Sequence, residues 1–109
     1  MKIDAQYVEA WNNKGSALLG QMKYDEAIRC FDEAIRLDPN YAEAWNNKGS
    51  ALGEQGKLDE AIKTFDEAIR LDPTYADAWY NKGIALKLLG RTTEADVAFS
   101  KAKVLVYRG

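Results

Sequence analysis

Residues 45–73 read WNNKGSALGEQGKLDEAIKTFDEAIRLDP, and residues 11–39 repeat them with few substitutions. A third and more divergent copy follows, so that Trp11, Trp45 and Trp79 stand 34 residues apart. A period of this length is typical of one helical hairpin copied in tandem. Stacked hairpins form a solenoid with an extended surface rather than a closed globule, and the sequence therefore predicts a solenoid.

Each copy contains two stripes of residues at helical spacing. The first stripe places Trp, Lys, Gly and Leu at i, i+3, i+4 and i+7, beginning at Trp45 in the middle copy. The second places Ala, Phe and Ala at i, i+4 and i+7, beginning at Ala61. The stripes predict an all-α chain of six antiparallel helices, at roughly residues 8–21, 24–37, 42–55, 58–71, 76–89 and 92–106.

The predicted helix boundaries carry the expected signals. Pro39 and Pro73 end the second helix of the first two copies, because proline cannot continue a helix and restricts the residue before it. Asn40 is predicted to cap the helix that follows, as is its counterpart 34 residues later. Gly56 and Gly90 stand where a left-handed residue closes the first helix of a hairpin.

Composition limits the classes of function. The net charge of -2 and the pI of about 5.2 argue against nucleic acid or anionic lipid as a partner. Cys30 is the single cysteine, which indicates a reducing compartment, and the start of the chain lacks a secretory signal, so a cytoplasmic location is expected. There is no histidine, paired-cysteine metal motif or phosphate-binding loop, and we predict neither enzyme activity nor a metal or cofactor.

The pattern Trp-x2-Lys-Gly-x2-Leu, then Ala-x3-Phe-x2-Ala, then Pro, resembles the tetratricopeptide repeat (TPR) over residues 8–109. This resemblance implies a right-handed α-solenoid of three helix-turn-helix hairpins that acts as a scaffold for protein–protein interaction. Lys14, Lys48 and Lys82 replace the leucine of the family pattern. We interpret them as structural lysines whose stems pack while the ammonium groups reach water.

The third repeat differs from the others on its second helix. Ile62 and Ile69, which face the following repeat, have Asp96 and Lys103 as their counterparts. Terminal repeats of solenoids need a polar outer face, so the third repeat is predicted to be a C-terminal cap. The predicted single domain, 1–109, comprises 1–7 as a lead-in or the tail of a preceding repeat, then repeats 8–41, 42–75 and 76–109.

By resemblance, the first helices of the repeats line a concave groove that binds a peptide segment of a partner. The second, fifth, sixth and ninth positions of each first helix supply most of its walls. These residues are Glu9, Asn12, Asn13, Ser16, Glu43, Asn46, Asn47, Ser50, Asp77, Tyr80, Asn81 and Ile84.

Within this set, Asn13, Asn47 and Asn81 form a row whose amides could bind a peptide backbone whatever its sequence. The alternative is that these asparagines bond to neighbouring backbone and hold the hairpins in register. The acids of the set could select a basic partner or cap their own helices. Tyr80 and Ile84 make the third repeat more apolar, which predicts an anchor pocket there.

Some members of the family bind the C-terminal carboxylate of heat-shock chaperones through two lysines, an arginine and two asparagines. Carried over by position, that set falls on Asn12, Ser16, Asn47, Asp77 and Asn81, of which only Asn47 matches. Asp77 would repel a carboxylate. We therefore expect a neutral or basic protein or peptide as partner and exclude a chaperone C-terminal carboxylate, nucleic acid and membrane.

Self-assembly is the second hypothesis for function. Val97, Val104 and Val106 leave apolar surface on the last helix, which could contact the helix of Trp11 in another copy. Head-to-tail contacts of that kind form rings or filaments. They predict a weak homo-oligomer formed by end-to-end stacking.

Overall fold

The structure, a computed structural model, describes residues 4–108, with side chains up to residue 106. Within this range the chain forms three helical hairpins, which confirms the predicted all-α solenoid. Residues 1–3 of the predicted lead-in and residue 109 of the predicted third repeat lie outside the described residues. The helices are α1 (Ala5–Gly20), α2 (Tyr24–Leu37), α3 (Ala42–Glu54), α4 (Leu58–Leu71), α5 (Ala76–Leu88) and α6 (Thr92–Arg108).

Helix α1 begins three residues earlier than predicted. Ala5 stands where the later repeats have a proline, and alanine favours the helix. The Asp4 side chain caps this helix by accepting a hydrogen bond from the backbone N–H of Gln6 at 3.0 Å. The lead-in is therefore partly helical rather than a loop.

The predicted caps of α3 and α5 are wrong. Tyr41 and its counterpart Tyr75 occupy the N-cap positions, and neither makes a side-chain capping bond. Asn40 instead donates its backbone N–H to the carboxylate of Asp38 at 3.1 Å, and Thr74 repeats this geometry. Asn40 and Thr74 thus lie in an aspartate turn one residue before the N-cap, where their side chains do not cap the helix.

The turn inside each hairpin has the same geometry in all three repeats. Gly56 and Gly90 have φ values of 79° and 81°, as predicted. Met22 occupies the same position in the first repeat and adopts φ 64° despite its side chain. Its turn is closed by the bond from Lys23 N to Leu18 O, 2.9 Å, which matches the bonds in the other two turns. The first repeat therefore keeps the glycine turn without the glycine.

Close contact between the helices of a hairpin depends on a glycine and a phenylalanine. A Cβ atom at Gly15 would lie 2.5 Å from Cε1 of Phe31, and one at Gly49 would lie 2.5 Å from Cε1 of Phe65. Real Cβ atoms are not found so close to a ring. The glycine stripe predicted from the sequence therefore marks the line along which the two helices meet.

Neighbouring repeats are joined by polar contacts as well as apolar packing. The indole N–H of Trp45 donates to the carbonyl of Pro39 at 3.0 Å. Lys48 Nζ lies 2.7 Å from the Asp32 carboxylate of the preceding repeat and 5.9 Å from the Trp45 ring centroid. Trp79, Lys82 and their partners repeat the same contacts between the second and third repeats. The structural interpretation of the lysines fits, but Lys48 and Lys82 bind a carboxylate rather than only reaching water.

Candidate functional site

The three first helices lie on the inner side of the solenoid. Helix α1 contacts α3, and α3 contacts α5, whereas the described parts of α2, α4 and α6 do not contact one another. First helices that are closer together than second helices give an array that curves around the first helices. We call the surface of α1, α3 and α5 on this side the inner face.

The twelve predicted groove residues, all on α1, α3 and α5, differ widely in accessibility. Asn12 and Asn46 are buried, at 0% and 5% exposure, and are removed from the groove-lining set for this reason. Asn47, Ser50 and Asn81 are half-buried. The remaining members are exposed: Glu9, Asn13, Ser16, Glu43, Asp77, Tyr80 and Ile84.

The buried asparagines connect one repeat to the next. Asn47 Nδ2 donates to Asn12 Oδ1 at 3.0 Å, and Asn81 Nδ2 donates to Asn46 Oδ1 at 3.1 Å. The asparagines therefore hold the hairpins in register, but through side chains of the adjacent repeat rather than through its backbone. Asn13 occupies the same position in the first repeat and makes no such bond within the described chain.

Glu43 belongs to this network and does not cap its helix. It accepts a hydrogen bond from Asn12 Nδ2 at 3.2 Å and another from the Tyr41 hydroxyl at 3.4 Å. Burial raises the pKa of the Tyr75 hydroxyl above its ordinary value, and the charge of Glu43 raises this pKa further. The neutral Tyr75 hydroxyl accepts from Asn46 Nδ2 at 3.4 Å.

The third repeat presents a different inner surface. Tyr80, Ile84 and Leu88 stand where the second repeat has Asn46, Ser50 and a glutamate. The Tyr80 ring packs on Phe99 with 5.4 Å between centroids. Ile84 is 39% exposed and Leu88 68% exposed. The apolar character predicted for this repeat thus extends one helical turn further than the sequence prediction placed it.

A cavity of about 130 Å³ lies between the second and third repeats. Gly53 is part of its lining, where the first repeat has Leu19 and the third has Lys87. The absence of a side chain at Gly53 leaves the cavity open. Its lining residues are Ser50, Gly53, Glu54, Leu58, Phe65, Asn81, Ile84, Ala85 and Leu88.

A second pocket adjoins the first. It is lined by Leu19, Met22 and Tyr24 from the first repeat and shares Ser50 and Glu54 with the cavity between the second and third repeats. The two pockets form a trough along the C-terminal ends of the first helices. The predicted groove set includes three residues of this trough, Ser50, Asn81 and Ile84, but not Gly53; the change from leucine to glycine at that repeat position was the available signal.

Other chemistry is not indicated in the part of the chain that the structure describes. Residues 4–108 contain no group of three or more His, Cys, Asp or Glu that could hold a metal ion. No described helix is long and apolar enough to cross a membrane. Cys30 is a buried free thiol.

Three stacked hairpins with an inner face define a helical-repeat interaction module. The family model of the tetratricopeptide repeat matches residues 12–76 and 48–103, which together span most of the chain. The chain belongs to the tetratricopeptide repeat family, as its sequence pattern predicted.

Solved structures of TPR domains share the fold. The second TPR domain of Spaghetti (RPAP3), bound to the HSP90 peptide SRMEEVD, has a TM-score of 0.87 and 30% identity, covering 92% of this chain and 93% of that chain. The first TPR domain of the same protein, bound to the same peptide, has a TM-score of 0.90 and 28% identity over 94% and 82%. The Arabidopsis OM64 TPR domain has a TM-score of 0.90 and 26% identity over 95% and 86%. A comparison with curated proteins gave no match.

The exclusion of a chaperone C-terminal carboxylate is wrong. Two domains with this fold and 28–30% identity were solved with the HSP90 peptide SRMEEVD bound. The exclusion rested on cations missing at three of the five positions, and one of the five, Asn12, is buried and bonded to Asn47 and is not available to a ligand. The preference for a neutral or basic partner rested on the acids Glu9, Glu43 and Asp77, and the acidic peptide bound by two similar domains does not support it.

Proposed function

We propose that the inner face binds an extended peptide segment of a partner protein and that the cavity between the second and third repeats holds one aliphatic side chain of that peptide. The cavity itself is the observation that supports this. Ile84 and Leu88 are exposed at its edge, and Leu58 and Phe65 contribute to its lining. Exposed apolar side chains around a cavity of this size are typical of an anchor site for a partner.

The polar part of the inner face suits a peptide backbone. Asn13 is exposed, and Ser16 is exposed beside it on α1. Asn47 and Asn81 use Nδ2 to contact the preceding repeat, and no described hydrogen bond uses their Oδ1 atoms. Backbone N–H groups of an extended peptide need such acceptors when the peptide leaves water.

The HSP90 peptide SRMEEVD is the first ligand to test, because two TPR domains similar to this chain were solved with it. Its methionine and valine are apolar side chains of a size that the cavity can hold. Glu54 lines both pockets, so a negative charge borders the trough, while the rest of the cavity lining is uncharged. A library of heptapeptides of mixed charge should be screened beside SRMEEVD.

Gly53→Leu tests the proposal without removing any existing contact. The first repeat carries Leu19 at this position, and a Cβ atom at Gly53 would lie 3.9 Å from Ala61 Cβ, an ordinary contact. We expect peptides that bind the unaltered chain to carry an aliphatic residue and to bind Gly53→Leu about tenfold more weakly, a change of about 1.4 kcal/mol. Gly53→Ala, which adds only a methyl group, is the matched control and should weaken binding less.

The affinities can be measured by fluorescence polarisation, with circular dichroism to confirm equal helix content. Replacing the aliphatic residue of the peptide by aspartate should weaken binding to the unaltered chain but cause no comparable further loss with Gly53→Leu. Equal affinity of the unaltered chain and Gly53→Leu would refute the cavity as the anchor site. Failure of every peptide to bind would refute the proposed function.

A further inference from the structure

The surface of the first repeat that faces away from the second repeat has two occupied counterparts in the same molecule. On α3, Lys48 pairs with Asp32 of α2 at 2.7 Å. On α5, Lys82 pairs with Asp66 of α4 at 2.7 Å. In both cases the second helix of one repeat covers the tryptophan–lysine side of the next. At both repeat junctions, a tryptophan–lysine surface is therefore covered by the second helix of the preceding repeat.

Trp11 and Lys14 carry the same chemistry on α1. Lys14 Nζ lies 5.4 Å from the Trp11 ring centroid, as in the other repeats, but Lys14 is exposed and belongs to no described ion pair. An open groove of about 750 Å³ lies beside them, between α1 and α2. Leu18 and Cys30 contribute apolar surface to its lining. We call this surface the outer end face of repeat 1.

The helices that occupy the counterpart surfaces share one stripe. Helix α2 presents Ile28, Asp32 and Ile35, and α4 repeats the stripe 34 residues later. Ile28 packs against the core that contains Leu52 of α3, and Ile35 packs against the core that contains Ala44 of α3. Two aliphatic side chains flanking a carboxylate therefore form the complement of a tryptophan–lysine surface.

We propose that the outer end face of repeat 1 binds an amphipathic helix of a partner protein, one that presents the stripe Ile-x3-Asp-x2-Ile and places its aspartate on Lys14. This binding site is separate from the inner face. It uses Trp11 and Lys14 on α1, whereas the inner-face cavity lies between the second and third repeats.

A second copy of this chain does not supply that helix. Helices α2 and α4 are already covered by the following repeat. Among the described helices, α6 is the second helix that no following helix covers, and it has Asp96, Ser100 and Lys103 at the three stripe positions. It offers no carboxylate at the central position, and Lys103 would bring a second positive charge towards Lys14. End-to-end stacking of identical copies is therefore disfavoured.

A peptide with the α4 sequence LDEAIKTFDEAIRL is a direct probe, held helical by a side-chain lactam on the side opposite Ile62, Asp66 and Ile69. We expect saturable binding to the full chain. In nitrogen–proton correlation spectra the indole signal of Trp11 should move most, because the indoles of Trp45 and Trp79 already donate to carbonyls within the chain.

Charge-reversal variants distinguish the proposed contact from nonspecific binding. Lys14→Glu should weaken binding of the probe at least about tenfold. A probe with the change Asp66→Lys should bind Lys14→Glu more tightly than it binds the unaltered chain. Lys63→Glu, an equal change of net charge at an exposed position on α4, should leave the affinity unchanged.

Three results would overturn the proposal: no binding of the probe, equal binding by Lys14→Glu, or an indole signal other than that of Trp11 that moves most. Sedimentation of the chain alone over a range of concentrations tests the exclusion of identical copies. If the mass rises with concentration and Lys103→Ile does not strengthen this association, the copies associate by another surface. Protection of the Trp11 side chain from solvent in the associated state would contradict the proposal.

Discussion

The side-chain amide of Asn47 donates a hydrogen bond to Oδ1 of Asn12 over 3.0 Å and joins α3 to α1 across a repeat boundary. Asn12 is completely buried, so water competes little for this hydrogen bond. Glu43 accepts from the other end of the Asn12 amide. The hydrogen bond between Asn47 and Asn12 therefore stabilises the stacking of repeats, and the atoms that form it are not free to bind a ligand.

Asn12→Ala should destabilise the chain by about 1–3 kcal/mol, because it removes a completely buried side chain that bonds both Asn47 and Glu43. Urea denaturation followed by circular dichroism measures this loss. Asn13→Ala, one residue away and exposed, should change stability by no more than about 0.5 kcal/mol. Equal losses for the two variants would contradict the structural role of the network.

Gly49→Ala should cost about 1–3 kcal/mol through overpacking, since the new methyl group would lie 2.5 Å from the Phe65 ring. Gly53→Ala, on the same helix, meets only a contact at 3.9 Å and should be neutral or gain up to about 1 kcal/mol of helix propensity. Thermal and urea unfolding measure the stability of both variants, and an equal loss in Gly53→Ala and Gly49→Ala would contradict a close helix contact at Gly49.

Met22→Gly should stabilise the chain by about 1 kcal/mol, because Met22 adopts φ 64° and a left-handed conformation is costly for a residue with a Cβ. The reverse change, Gly56→Met, should destabilise the second turn by a similar amount. The midpoint of urea unfolding reports both. A loss of stability in Met22→Gly would indicate that packing of the methionine side chain outweighs the backbone cost.

Stability should fall at alkaline pH through Tyr75. Its pKa is raised in the folded chain, first by burial and then by Glu43, so the folded state retains the proton to higher pH than the unfolded state. The contribution of Tyr75 is complete below the ordinary tyrosine value of about 10 and is lost as the pH rises through the raised value.

In Tyr75→Phe this loss is absent, so the variant should lose less stability than the unaltered chain as the pH rises above about 10. Urea unfolding at each pH measures the difference. Tyr80→Phe, which removes an exposed hydroxyl outside the asparagine network, is the matched control and should follow the unaltered chain. An identical pH profile for Tyr75→Phe and the unaltered chain would contradict the effect.

The fold could be predicted from the sequence because its determinants recur with one period. Each glycine–phenylalanine contact and each left-handed turn stands at the same repeat position, so three copies give the same evidence three times. Met22 shows the limit of this reasoning, since the turn survives there without its signal residue. Helix starts were less predictable, because the turn formed at Asp38 shifts the N-cap position from Asn40 to Tyr41.

The candidate site could be predicted only in outline. Helical spacing placed Asn12 and Asn47 on the same side of their helices, but it could not show that one is buried beneath the other. The cavity near Gly53 depends on how two repeats approach each other, which no single repeat encodes. The identity of a ligand was the least predictable feature, as the overturned exclusion of a chaperone tail shows.

Tyr80 occupies the place at which the middle repeat supplies Asn46 as acceptor for the following unit. The units are consequently not interchangeable building blocks. Inserting an extra copy of residues 42–75 after residue 75 would lengthen the molecule with every amide, indole and ammonium partner regenerated. Inserting an extra copy of residues 76–109 at the end would leave the asparagine amide of the new copy without its acceptor. Gene duplication can therefore lengthen the array through the middle repeat but not through the last.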